Sequence, residues 1–313
     1  MNYMYLLNFF ILNLLLIIII LVSLAFLTLL ERNILGYIQY RKGPNKVLFK
    51  GVFQPFSDAI KLFSKEILML KFSNHMFYLV SPLLMMVIML MLWIILPNYF
   101  NIYYNDYDIM LFLCFLSMGV YSMMMSGWAS NSLYSMLGCI RSIAQTISYE
   151  VSLIFIILSS FMLVESWSIN NLLIFQNSFG FYMILWPIML LFLISLIAEL
   201  NRTPFDLAEG ESELVSGFNV EYMSGSFALI FMSEYGMIML MSMIFSIFYF
   251  GSDLNSLNLF IKVVIVMMII IVFRGSFPRV RYDQLMMMIW KSFLPVILNL
   301  FLYLYFLKWF IYM

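Results

Sequence analysis

Ile11-Leu12-Asn13-Leu14-Leu15-Leu16-Ile17-Ile18-Ile19-Ile20-Leu21-Val22-Ser23-Leu24-Ala25-Phe26-Leu27-Thr28-Leu29-Leu30 runs without a charged residue until Glu31. About 20 apolar residues are what a helix needs to cross the hydrocarbon core of a bilayer. In lipid every backbone N–H and C=O must be satisfied within the segment, so such a run reads as a helix. A strand of a membrane barrel would instead alternate over a short segment. Runs of the same kind recur, giving eight expected spans at 3–30, 76–96, 109–125, 143–164, 181–197, 226–250, 259–273 and 293–312. The expected fold is therefore all-α and polytopic, with residues 1–313 forming a single membrane domain.

Composition agrees with that class. The chain is 65% hydrophobic and 10% charged, whereas a soluble domain carries about 25% charged residues. A net charge of zero offers no electrostatic footprint for nucleic acid. The cysteines, Cys114 and Cys139, stand singly in or near apolar stretches, and an iron–sulfur cluster takes about four thiolates. His75 is the single histidine, so it cannot hold a haem from both sides. No metal site and no redox centre is expected, and any redox electrons must come from a partner. The first residues carry no Lys or Arg and lead directly into a span too long for a signal-peptide core, so import from another compartment is not expected. The abundance of Met, Phe, Ile, Asn and Tyr suits an AT-rich, organelle-encoded chain.

Lys and Arg set the expected orientation. Arg32, Arg41, Lys42, Lys46, Lys50, Lys61, Lys65 and Lys71 fall in the first loop, Arg141 in the third, Arg202 in the fifth, and Arg274, Arg279, Arg281 and Lys291 in the seventh. Only Lys262 and Lys308 fall on the opposite side. The long, chemically rich odd-numbered loops should then face the cytoplasm-equivalent side, the matrix in a mitochondrion.

Within those loops the fifth stands out, with Glu199, Asp206, Glu209, Glu211, Glu213 and Glu221 against Arg202 alone. Thr203-Pro204-Phe205-Asp206 fits a helix start, with Thr203 as N-cap, Pro204 first and Asp206 completing a capping box. On such a helix Asp206, Glu209 and Glu213 share a face, where mutual repulsion favours holding a proton. The plainer reading is a solvated acidic loop. Glu150 and Glu234 lie within spans, where a charge costs about 2.5–3.5 kcal/mol and marks an ion or proton path, or else a neutral Glu joining two helices. Gln145, Thr146 and Tyr149 make the surroundings of Glu150 polar. In the first loop, Gly43-Pro44-Asn45 signals a turn. An amphipathic interfacial helix follows from Gln54, with Phe56, Ala59, Ile60 and Phe63 on one face. It reads either as an interfacial helix alone or as a doorway for a lipid-soluble substrate.

Several ordered strings carry a resemblance: Thr28-Leu29-Leu30-Glu31-Arg32, Arg41-Lys42-Gly43-Pro44-Asn45-Lys46, Ile147-Ser148-Tyr149-Glu150-Val151, Asn201-Arg202 through Pro204-Phe205-Asp206-Leu207, and Arg274-Gly275 through Pro278-Arg279 to Arg281-Tyr282-Asp283. Together they resemble the mitochondrial NADH:ubiquinone oxidoreductase chain 1 family, the membrane subunit of respiratory complex I. The resemblance implies a multi-pass protein of the mitochondrial inner membrane among other membrane and peripheral subunits. It implies ubiquinone as substrate, with FMN and iron–sulfur clusters on partner subunits, and lipids around the bundle. It places Arg32, Asp58, Phe218 and Arg274 on the quinone path. It also implies a proton path of Glu150, Glu199, Asp206, Glu209, Glu211, Glu213, Glu221 and Glu234, coupling quinone reduction to proton translocation. Asn33, Leu48 and Gln284 depart from the commonest pattern at the motif edges. The rival readings are a stand-alone ion antiporter, which would call for a lysine well inside a span, and a structural anchor, which would not need Glu150 or Glu234.

Overall fold

The computed structural model describes residues 2–69, 71–97, 105–176, 179–208, 210, 217–251 and 256–312. Among them every regular element is a helix. The run that opens the chain forms α1 (Asn2–Ile38), and the first loop carries α2 (Gln54–Phe63). Then follow α3 (His75–Ile95), α4 (Asp108–Ala129), α5 (Leu133–Val164), the short α6 (Ile169–Phe175) and α7 (Trp186–Glu199). The last group is α8 (Ser224–Phe245), α9 (Leu257–Ser276), α10 (Tyr282–Met287) and α11 (Leu294–Tyr312). A π-helical segment, Ser246–Phe250, extends α8, and another, Met288–Phe293, joins α10 to α11.

Among the described residues, seven helical stretches are long and apolar enough to cross a membrane. The expected fifth span is α7, whose 14 residues make about 21 Å at 1.5 Å per residue, short of a full crossing. Pro187 sets its start, since proline suits the first turn and not the interior. Other helices run past their apolar runs. α5 begins at Leu133, so Arg141 lies on a helix and not in the third loop. Arg274 belongs to the last turn of α9, and Lys291 to the π-helical segment after α10. Hydropathy registers the lipid-immersed part of a helix, and polar end turns continue beyond it.

α5 is the axis of one group, packing on α4, α7 and α11; α8 is the axis of the other, packing on α1, α2, α3 and α9. Their shared core holds Leu92, Phe112, Leu153, Ile156, Phe192 and Tyr249, all essentially buried. Phe192 stacks on Phe245 at 5.8 Å with the rings 8° apart. By contrast, α1 and the Tyr282–Phe310 stretch leave most of their apolar surface outward, as helices facing lipid or other chains do.

The helix start expected at Thr203 is absent. Thr203–Pro204 is a cis peptide bond, and the backbone from Arg202 to Leu207 turns, with the Phe205 N–H donating to the Arg202 carbonyl at 2.8 Å. Tertiary contacts outweigh the local capping signal. Gln145 Nε2 donates to the carbonyls of Ala198 (2.9 Å) and Phe205 (2.8 Å), and Phe205 and Leu207 are buried beside Tyr149 and Leu285. Asp206 therefore stands on a turn and not on a helix, and Glu209 and Glu213, the other members of the expected face, lie outside the described residues.

Candidate functional site

Two hollows flank α8. A groove of about 430 Å³ lies between α1, α2 and α8. Its walls are mostly apolar: Leu21, Leu24 and Ala25 from α1, Phe56, Ala59 and Phe63 from α2, and Phe227, Phe231 and Tyr235 from α8. The last three recur every fourth residue, so they stand above one another on one face. Phe227 and Phe231 have ring centroids 4.3 Å apart, and Phe231 and Tyr235 6.3 Å. Polar groups gather where Arg32 and Asp58 also line the groove. Arg32 Nη1 lies 2.6 Å from Asp58 Oδ2, and Gln54 donates to the other oxygen at 3.0 Å. The amphipathic helix expected in the first loop thus places one face against the groove.

The second hollow is a cavity of about 100 Å³ between α3, α4, α8 and the chain after α7. Methionines and Phe115 form its apolar wall, while Glu199, Arg202, Ser233 and Glu234 face it. Glu150, near the middle of α5, acts electrostatically on Glu199. Glu150 Oε1 and Glu199 Oε2 are buried and have no hydrogen-bond partner among the described residues.

Between the hollows is a charge cluster. Glu31 is 5% exposed and pairs with two arginines, Arg202 at 3.4 Å and Arg274 in closer contact. The Arg202 guanidinium carbon lies 4.8 Å from the centroid of the Tyr235 ring. Burial works against the Arg202 charge, but Glu31, Tyr235 and Glu234 outweigh it and raise the pKa of the guanidinium above its ordinary value. Nearby, the fifth and seventh loops are joined. Arg279 pairs with Asp206 at 3.3 Å, Thr203 Oγ1 donates to the Arg274 carbonyl at 3.3 Å, and Val280 N–H donates to the Pro204 carbonyl at 2.9 Å.

Comparison with known proteins decides the family. A family model described as NADH dehydrogenase matches residues 11–305. "NADH-ubiquinone oxidoreductase chain 1" of Aedes aegypti is 52% identical over 287 residues, covering 92% of each chain. The protein of that name from Apis mellifera ligustica is 48% identical over 298 residues, covering 95% of this chain and 97% of its own. That from Balaenoptera physalus is 46% identical over 288 residues, covering 90% and 91%. The chain belongs to the NADH dehydrogenase family.

In this family member the candidate residues fall into separate groups. Arg32 and Asp58 meet on the groove. Arg274 reaches the same region through Glu31. Phe218 is set apart from those three, buried at 3% exposure on the wall of the cavity. Glu199 and Glu234 line the cavity, Glu150 neighbours Glu199, and Asp206 lies on the Arg279 side. Glu221 is half-buried just before α8, and its carbonyl accepts from Tyr78 at 2.6 Å. Glu209, Glu211 and Glu213 lie outside the described residues. Sequence reasoning missed Glu31 and Tyr235 as site residues. Tyr235 carried a signal in the four-residue spacing of Phe227, Phe231 and Tyr235, next to Glu234. For Glu31 no local signal separated a partner of two distant arginines from a residue at a span's end.

Proposed function

We propose that this chain is the subunit of the NADH–ubiquinone oxidoreductase complex that gives ubiquinone access to its reduction site and carries protons released or drawn by that reaction. The observation that supports this most is the pairing of an apolar groove with a carboxylate-lined cavity across one helix, α8. A quinone has a planar headgroup and an apolar tail. The groove offers an aromatic ladder for both and ends at the polar Arg32–Asp58 pair. Arg32, Asp58 and, through Glu31, Arg274 form its polar end, with Phe218 backing the neighbouring cavity. Electrons arrive from FMN and iron–sulfur centres on partner subunits; the two cysteines here are too few for a cluster that takes about four thiolates.

Quinone reduction takes up protons with electrons. Glu150, Glu199 and Glu234 sit where ionised carboxylates are costly, so each holds a proton or a cation. We assign them, with Asp206, Glu209, Glu211, Glu213 and Glu221, to one proton path whose members titrate as a set. The complex sits in the mitochondrial inner membrane, and the odd-numbered loops face the matrix and the peripheral subunits. The antiporter reading has less support. Lys262 lies near the start of α9 and donates to the Phe250 and Gly251 carbonyls at 3.1 and 2.5 Å, a helix-end role.

Glu150→Gln tests the reading, because it keeps size and hydrogen bonding but removes the exchangeable proton. The variant complex is expected to assemble and to lose quinone reduction and proton pumping together. Normal pumping would return Glu150 to a packing role.

A further inference from the structure

α8 is a wall shared by the two hollows. Met232 and Tyr235 face the groove, whereas Ser233 and Glu234 face the cavity. Arg202 comes to this wall from the cavity side. Its guanidinium stacks on Tyr235, its Nη1 meets Glu31, and Glu234 acts on it electrostatically. Its Nη2 is buried without a hydrogen-bond partner among the described residues. Glu31 in turn holds Arg274, so one carboxylate serves two cations.

We propose that Tyr235 and Arg202 form a gate between groove and cavity, in which the Tyr235 ring positions the guanidinium to answer Glu31 on one side and Glu234 on the other. The proposal rests on the quinone and proton reading of the two hollows. A guanidinium keeps its proton at any working pH. It cannot relay one, so protons pass this level only when it moves. Its second carboxylate and its spare donor give it somewhere to move, and Arg274 remains to neutralise Glu31 when it does. The stack sets the resting position. Tyr235 is thus a positioning residue, acting through Arg202.

The test uses the whole complex in sealed vesicles, measuring protons moved per NADH oxidised beside the rate of quinone reduction. Tyr235→Leu removes the ring and is expected to lower the population of the stacked resting position by roughly thirtyfold, the scale of losing a desolvated cation–π contact, and so to lower the proton ratio, with a smaller fall in quinone reduction. Tyr235→Phe keeps the ring and is expected to keep the ratio. Arg202→Lys keeps the charge, loses the planar face, and is expected to behave as Tyr235→Leu; it decides the matter if the Leu variant does not assemble. A normal ratio in both disrupting variants overturns the gate, as does a Phe variant that loses as much as the Leu variant. So does a fall in reduction and pumping in strict proportion. A normal ratio in both disrupting variants with depressed pumping in Glu150→Gln removes the gate alone. Normal pumping in all three removes the proton-path reading with it.

Discussion

Glu31 holds two arginines and Asp58 one, and their surroundings make those pairs unequal. The Arg32–Asp58 side chains are 51% and 34% exposed, and such a pair is worth at most about 1 kcal/mol. Asp58→Asn is therefore expected to leave assembly intact, with its effect confined to a higher KM for quinone in steady-state assays. Glu31 is 5% exposed and Arg202 12%. Removing one partner of a buried pair costs about 3–5 kcal/mol, and here it strands Arg202, whereas Arg274 at 38% exposure still reaches solvent. Glu31→Ala is expected to abolish or sharply reduce the assembled complex on native gels, and an unchanged yield would mean that water reaches the arginines freely. Glu31 is adjacent to Arg32 in the chain, but its partners are 171 and 243 positions away. No local pattern could pair them.

At the scale of elements, the approach of α4 to α5 depends on residues without bulk. A Cβ on Gly127 would lie 2.3 Å from the Cβ of Cys139, whereas one on Gly119, two turns earlier on α4, would meet nothing within 4 Å. Helices in a bilayer associate through such small residues. Gly127→Ala is expected to cost about 1–3 kcal/mol as overpacking and to lower the thermal stability of the complex. Gly119→Ala serves as the silent control. Equal melting curves for the two would show that α5 yields more easily than its packing implies. The turn after α7 belongs to this scale as well. Thr203-Pro204-Phe205-Asp206 read as a helix start because capping chemistry is local. Gln145, some sixty positions earlier, claims the Phe205 carbonyl and decides otherwise.

For the whole molecule, the groove is walled by α1, α2 and α8, and the proposed function has a membrane-dissolved substrate enter it from the side. A photoreactive quinone bound to the intact complex is expected to label peptides from α1, α2 and α8, with competition by unlabelled quinone. Labelling confined to the Lys262 and Lys308 side would contradict that route. The fifth and seventh loops are paired with each other. Cross-linkers are expected to join them to soluble subunits, and free protease access in the assembled complex would count against that arrangement.

Hydropathy alone determined that this is an all-α membrane chain, where most of its helices lie, and that α2 is amphipathic. Each of those follows from the cost of burying backbone and charge in lipid, which acts residue by residue along the chain. The family resemblance likewise named Arg32, Asp58, Glu150 and Glu234. Only the tertiary structure decided that α7 is short, that Phe218 and Asp58 belong to different hollows, and that α8 divides an apolar groove from an acidic cavity. It alone brought Glu31, Arg202, Arg274 and Tyr235 into one cluster. Those facts depend on which faces of distant helices meet, and that is set by packing among side chains that the linear order does not bring together.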